Sequence, residues 1–177
     1  IGTGLQGLGK YDVAEQTLRA AIEESTREMG LRHPLTLSGR VALTPVQRFK
    51  DRETELRSEL DALIPLLRAN GPASAADLAL ALSNVAHLAI DQRRFDDARA
   101  AAEEAHSISE RALGPTHDST VSYALLAAIT QQREDDPEGA IVVQRRALDL
   151  VLRAYGAETP HARVLDAQSS APIAGLY

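Results

Sequence analysis

Arg94-Phe95-Asp96-Asp97-Ala98 is the stretch that decides the fold, because the chain carries related copies of it at a fixed spacing. Lys10-Tyr11-Asp12-Val13-Ala14 lies 84 residues upstream, and Asp135-Asp136-Pro137-Glu138-Gly139-Ala140 places its alanine 42 residues downstream. The same offsets relate Met29-Gly30-Leu31-Arg32-His33 to Leu113-Gly114-Pro115-Thr116-His117, and Gly114 to Gly156. Around Leu56 the motif itself is missing. The apolar phase survives there, since Leu18, Ala21 and Ile22 map onto Leu60, Leu63 and Ile64. A period of several dozen residues is the signature of an array whose units bury their apolar faces against one another.

Composition narrows the element type. Hydrophobic residues make up 44% of the 177, but aromatics only 3%, so Ala and Leu must fill the core. That suits closely packed helices and disfavours strands, which prefer aromatic and β-branched residues. The net charge of −6 leaves no basic footprint for nucleic acid. With no Cys there is neither a disulfide framework nor a thiolate metal site or nucleophile. No apolar run is expected to reach the ~20 residues of a membrane span, and no charged-then-apolar leader is expected either. The chain starts at Ile1 inside a repeat, which suggests a piece of a longer protein.

Periodicity and stop signals place the helices. The first is expected from Tyr11 to about Met29, ended by Gly30. The second runs from Pro34 to about Arg48, with a kink at Pro45. Then come Glu53 to Ala69, Ala75 to Gln92, Phe95 to Leu113, Asp118 to Arg133 and Pro137 to Tyr155. Thr159-Pro160 would open one more helix. Residues 1–168 thus form an array of about four units, the second degenerate, and 169–177 an irregular tail. The second unit, with Pro45 inside a helix and its glycine stop lost, is the expected weak point. The exposed ends, or the apolar tail, are expected to self-associate.

These residues resemble the tetratricopeptide repeat in its 42-residue form, found in kinesin light chains and many bacterial proteins. Leu8 to Glu15, Gly30 with His33-Pro34, Ser83-Asn84-Val85-Ala86 with Arg94 to Ala98, Leu113 to His117, and Ala140 with Gly156 carry the resemblance. It implies an all-α fold, a right-handed α-solenoid of antiparallel helix pairs whose first helices line a concave groove for a protein or peptide. Bacterial relatives often append such arrays to a kinase, an NTPase or a transcriptional regulator.

Function is then expected of a scaffold without chemistry. No Gly-x-Ser-x-Gly, phosphate-binding loop or His-x-x-x-His pair is present, and Gly2-Thr3-Gly4-Leu5-Gln6-Gly7 lacks the strand a dinucleotide fingerprint needs. His33 and His117 stand alone in their loops, where a local capping role suits them. On the apolar helix 75–92 one polar stripe stands out: Ser83, His87 and Asp91 at i, i+4 and i+8, with Asn84 beside them. A wet stripe on a helix packed on its other sides should face the groove, and the resemblance implies that Asn84 bonds the backbone of a bound peptide. The equivalent positions one unit on are Leu126, Ile129 and Arg133; one unit back they are Ala42, Pro45 and Phe49. The reading is therefore a cytoplasmic protein- or peptide-binding module, with no cofactor, metal, nucleic acid or membrane partner. Two rivals remain: an intramolecular regulatory domain of a kinase, NTPase or regulator, and a sensor of a signalling peptide.

Overall fold

The computed structural model describes residues 2–50, 52–130, 142, 145, 149, 151–153 and 156, the side chains of 2–9 excepted. Among these residues the fold is all-α. Its elements are α1 (Gly2–Met29), α2 (Pro34–Phe49), α3 (Glu53–Ala69), a 3-10 turn (Gly71–Ser74), α4 (Ala75–Asp91), α5 (Phe95–Leu113) and α6 (Asp118–Thr130). They fall into two compact units, Ile1–Leu88 and Ala89–Tyr177. The expected helix 137–155 is described only in part, with residues 151–153 helical. The helix at Thr159, the tail and Ala140 lie outside the described residues.

Burial repeats with the sequence period. Leu37, Ala79 and Val121, each 42 residues apart, are all buried. So is a stripe of four along α3 (Leu56, Leu60, Leu63, Leu67) and its equivalent along α5 (Ala98, Ala102, Ala105, Ser109). These positions recur at i, i+4, i+7 and i+11, one face of a helix. The faces match in register but not in volume, leucine in one and alanine or serine in the other.

In the first unit α1 packs on α2 and α2 on α3. A Cβ at Gly39 would meet Ile22 Cγ1 at 3.1 Å, so the absent side chain at residue 39 allows the close approach of α1 and α2. His33 precedes α2 in an extended conformation, and its Nδ1 accepts from the Leu35 N–H at 3.3 Å. Its counterpart His117 accepts from the Ser119 N–H at 3.2 Å, capping α6 in the same way. Pro45 sits inside α2 and supplies no N–H to the carbonyl of Val41. The Thr44 hydroxyl takes that place, donating to Val41 O at 2.7 Å.

Three expectations need correction here. First, α1 begins at Gly2 rather than Tyr11: no left-handed residue interrupts it before Tyr11, whereas Arg93, at φ 57°, turns the chain before Phe95. Second, the second unit keeps its glycine stop. Gly71 adopts φ +61° one residue out of register with Gly30 and Gly114, and the 3-10 turn absorbs the offset. Third, residues Gly71–Asp91 are long and apolar enough, by length and composition, to cross a membrane. Within the structure 56% of that window is buried, as in a core helix.

In the second unit α5 packs on α6, and small side chains set their spacing. Ser109 and Thr120 share a buried hydroxyl–hydroxyl bond of 2.8 Å across that contact. Val151 packs on Val121, with Leu125 beside them.

Candidate functional site

Six of the seven expected groove residues are described, Ser83, Asn84 and His87 in the first unit and Asp91, Leu126 and Ile129 in the second. Ser83 is 5% exposed and donates to the Leu80 carbonyl at 2.8 Å, turning back onto its own helix. Asn84, at 2% exposure, is committed as well: its amide nitrogen donates to Thr44 Oγ1 at 3.1 Å and to Leu80 O at 3.0 Å. The stripe inferred for α4 is thus buried at its first member, Ser83, and at the neighbouring Asn84. The Ser83 hydroxyl and the Asn84 amide nitrogen spend their donors within the protein. His87 is half-buried and Asp91 exposed, although α4 crosses from one unit to the other between them. Leu126, expected to be bare, is 7% exposed; Ile129 is 55% exposed. Arg133 lies outside the described residues.

A different feature of the first unit is exposed and built for contact. Phe49, the last residue of α2, stacks on Tyr11 of α1 with ring centroids 4.9 Å apart and planes 17° from parallel. Phe49 remains 53% exposed. The Arg48 guanidinium carbon lies 5.4 Å from the Phe49 centroid, within cation–π range. Its Nε is buried without a hydrogen-bond partner among the described residues. Ala42 continues this face as an exposed residue and Pro45 as a half-buried one. Sequence reasoning listed Phe49 only as an equivalent of Asp91. The pairing with Tyr11 joins residues 38 apart and leaves no local pattern.

An ion cluster fixes this platform. Glu15, 6% exposed, receives Arg52 Nη1 at 2.6 Å, Lys50 Nζ at 2.6 Å and Arg19 Nη2 at 2.8 Å. Lys50 also bonds Asp12. Lys50 above all, then Arg52 and Arg19, hold the Glu15 carboxyl down to about 2 against the cost of burial. Lys50 in turn is shifted upward, by Asp12 first and Glu15 second. The residues on either side of the Tyr11–Phe49 stack are therefore pinned by charge-assisted bonds. They also brace the stretch of chain expected to open most easily, as does the Arg40–Glu59 pair at 2.7 Å.

Among the described residues no group of three His, Asp or Glu side chains is placed to hold a metal ion. Asp77, whose carboxyl is raised by burial, carries a hydrogen bond from Ser38 at 3.3 Å; it stands in the first turn of α4, where it helps dock α4 on α2.

The comparisons agree with this description. The family model of the tetratricopeptide repeat matches residues 77–153. Over that stretch the chain is similar to the tetratricopeptide repeat. The structure is also similar to the crystal structure of BtubC (BKLC) from P. vanneervenii, with a TM-score of 0.65 and 16% sequence identity. That likeness covers 88% of this chain and 62% of the other, so this chain spans less than two thirds of BtubC's length. At such identity it speaks for the fold. No curated protein sequence matches. Tetratricopeptide repeats generally mediate protein–protein interaction, and their fold is typically a non-catalytic scaffold.

Proposed function

We propose that the chain is a protein- or peptide-binding scaffold, acting in the cytoplasm without cofactor or catalysis, and that its first unit engages the partner through Tyr11, Arg48 and Phe49. The observation that carries this reading is the exposed Phe49 ring, held against Tyr11 with the Arg48 guanidinium in cation–π range. Aromatic and arginine side chains dominate binding hot spots, because they bury large area at low entropic cost and add directional bonds. The ion cluster supplies preorganisation, so little ordering is left to oppose association.

Panning a displayed peptide library on the wild-type chain, then assaying the selected peptides on Phe49→Ala, tests the reading. Loss of about 2 kcal/mol of binding, the scale of a hot-spot truncation, is expected. Ile129→Ala, exposed in the other unit, should leave the same peptides bound. Peptides that bind Phe49→Ala as tightly as wild type would remove the platform from the proposal.

A further inference from the structure

A cleft of about 620 Å³ opens between α1 and α3 in the first unit, floored by α2. It contains none of the residues of the Tyr11–Phe49 platform. Its α2 residues, Arg40, Leu43 and Gln47, occupy a different face of that helix from Ala42, Pro45 and Phe49. We infer that this cleft is a second binding site, which takes the alkylammonium side chain of a lysine from a partner polypeptide.

The inference starts from an acceptor in want of a donor. Gln47 is 6% exposed, and its Oε1 is buried with no hydrogen-bond partner among the described residues. A buried carbonyl oxygen left unpaired is costly, and natural proteins leave few of them. The terminal torsion of glutamine is broad, so the amide can turn its oxygen into the cleft it lines. Ile22 and Leu43 supply apolar wall beside it. The remaining lining is rich in acceptors: the carboxylates of Glu23, Glu55 and Glu59, which outnumber the two arginines.

Those arginines are already answered. Arg40 is held by Glu59 at 2.7 Å and Arg19 by Glu15 at 2.8 Å. Glu23 and Glu55, by contrast, stand at the mouth with side chains 76% and 57% exposed, in surface pairs with Arg27 and Arg52. Exposed pairs of this kind are weak and exchange partners readily. A lysine side chain fits each part of this inventory. Its methylenes cover Ile22 and Leu43, and its ammonium offers three donors and no acceptor. The formal charge of −6 favours a cationic partner in general.

The test follows amide and side-chain resonances of the isotopically labelled full chain during titration with three probes. These are N-acetyl-lysine methylamide, its apolar isostere N-acetyl-norleucine methylamide, and 1,5-diaminopentane as a free diamine. Saturable shifts at Leu43, Gln47 and Ser58 with the lysine probe, absent with norleucine, are expected. Gln47→Leu removes the orphaned acceptor at similar volume and should fold; it should weaken the lysine probe by about tenfold. Glu55→Gln, on the exposed rim, should weaken it by a smaller factor and serves if Gln47→Leu does not fold. Equal shifts with norleucine, or unchanged affinity in both variants, would overturn the site. Binding of the diamine without the lysine probe would overturn the peptide as its source.

Discussion

Asn84 and Thr44, forty residues apart, are joined inside the first unit by a 3.1 Å bond from amide nitrogen to hydroxyl oxygen. The hydroxyl in turn donates a hydrogen bond to the Val41 carbonyl, which Pro45 leaves without an amide donor. The side chain expected to greet a ligand thus belongs to a relay that repairs a proline. Asn84→Ala should accordingly destabilise the fold, by about 1–3 kcal/mol, through unsatisfied polar groups and lost packing. Thr44→Val should cost a similar amount, and the double variant less than the sum, because both singles break one network. Denaturant midpoints for the three variants decide it. An Asn84→Ala variant as stable as wild type would show the bond to be idle.

Acid should find the Glu15 cluster first. In the folded chain this carboxyl is depressed from 4.5 to about 2, with Lys50 the largest cause. A depressed folded value means that the stabilisation is complete above pH 4.5 and fades as pH falls towards 2. Glu15→Gln should therefore lower the melting temperature at pH 7 and approach wild type near pH 2. Lys50→Met should shrink the same acid-dependent difference. Parallel melting curves for wild type and Glu15→Gln between pH 7 and pH 2 would contradict the assignment.

Arg93 holds φ 57° between α4 and α5, where the alignment of the repeats puts Gly9 in the first copy. A left-handed conformation costs a residue with a Cβ roughly 1–2 kcal/mol. Arg93→Gly should thus be more stable than Arg93→Ala by about 1 kcal/mol, once the greater flexibility of unfolded glycine is subtracted. The comparison of the two variants cancels whatever the arginine side chain contributes. Equal thermal midpoints would mean that the turn relaxes without strain.

Ala98 is fully buried, whereas Ala100 is exposed two residues further along α5. Ala98→Leu should destabilise by about 1–3 kcal/mol through overpacking, and Ala100→Leu should stay within about 0.5 kcal/mol of wild type. Urea unfolding of both variants measures the contrast. The reverse change on α3, Leu60→Ala, should open a cavity at a cost of about 2–5 kcal/mol.

Helix limits were legible wherever the repeat supplied two independent marks. Glu53–Ala69 and Phe95–Leu113 run residue for residue as periodicity and stop signals place them. The caps His33 and His117 were legible for the same reason. Solvent exposure was not. A one-dimensional pattern marks Ser83 and Asn84 as a polar stripe, but it cannot tell water from a threonine forty positions away. Nor could it show that Val13, an apolar residue of the Lys10–Ala14 copy, stands 64% exposed at a position where the second and third units carry Glu55 and Asp97. The Tyr11–Phe49 stack and the Glu15 cluster were silent because their partners meet only after α1 and α2 have packed.

The unequal volumes of the matched stripes on α3 and α5 bear on how such a chain could be rearranged. A repeat protein is often imagined as a string of interchangeable beads, to be duplicated, deleted or reordered at will. Here the bead with Leu56, Leu60, Leu63 and Leu67 would crowd a neighbour shaped for alanine. The bead with Ala98, Ala102, Ala105 and Ser109 would leave a leucine-shaped seat half empty. Side-chain size therefore acts as a serial number on each repeat, and a copy inserted out of turn would first have to be rewritten along one helical face.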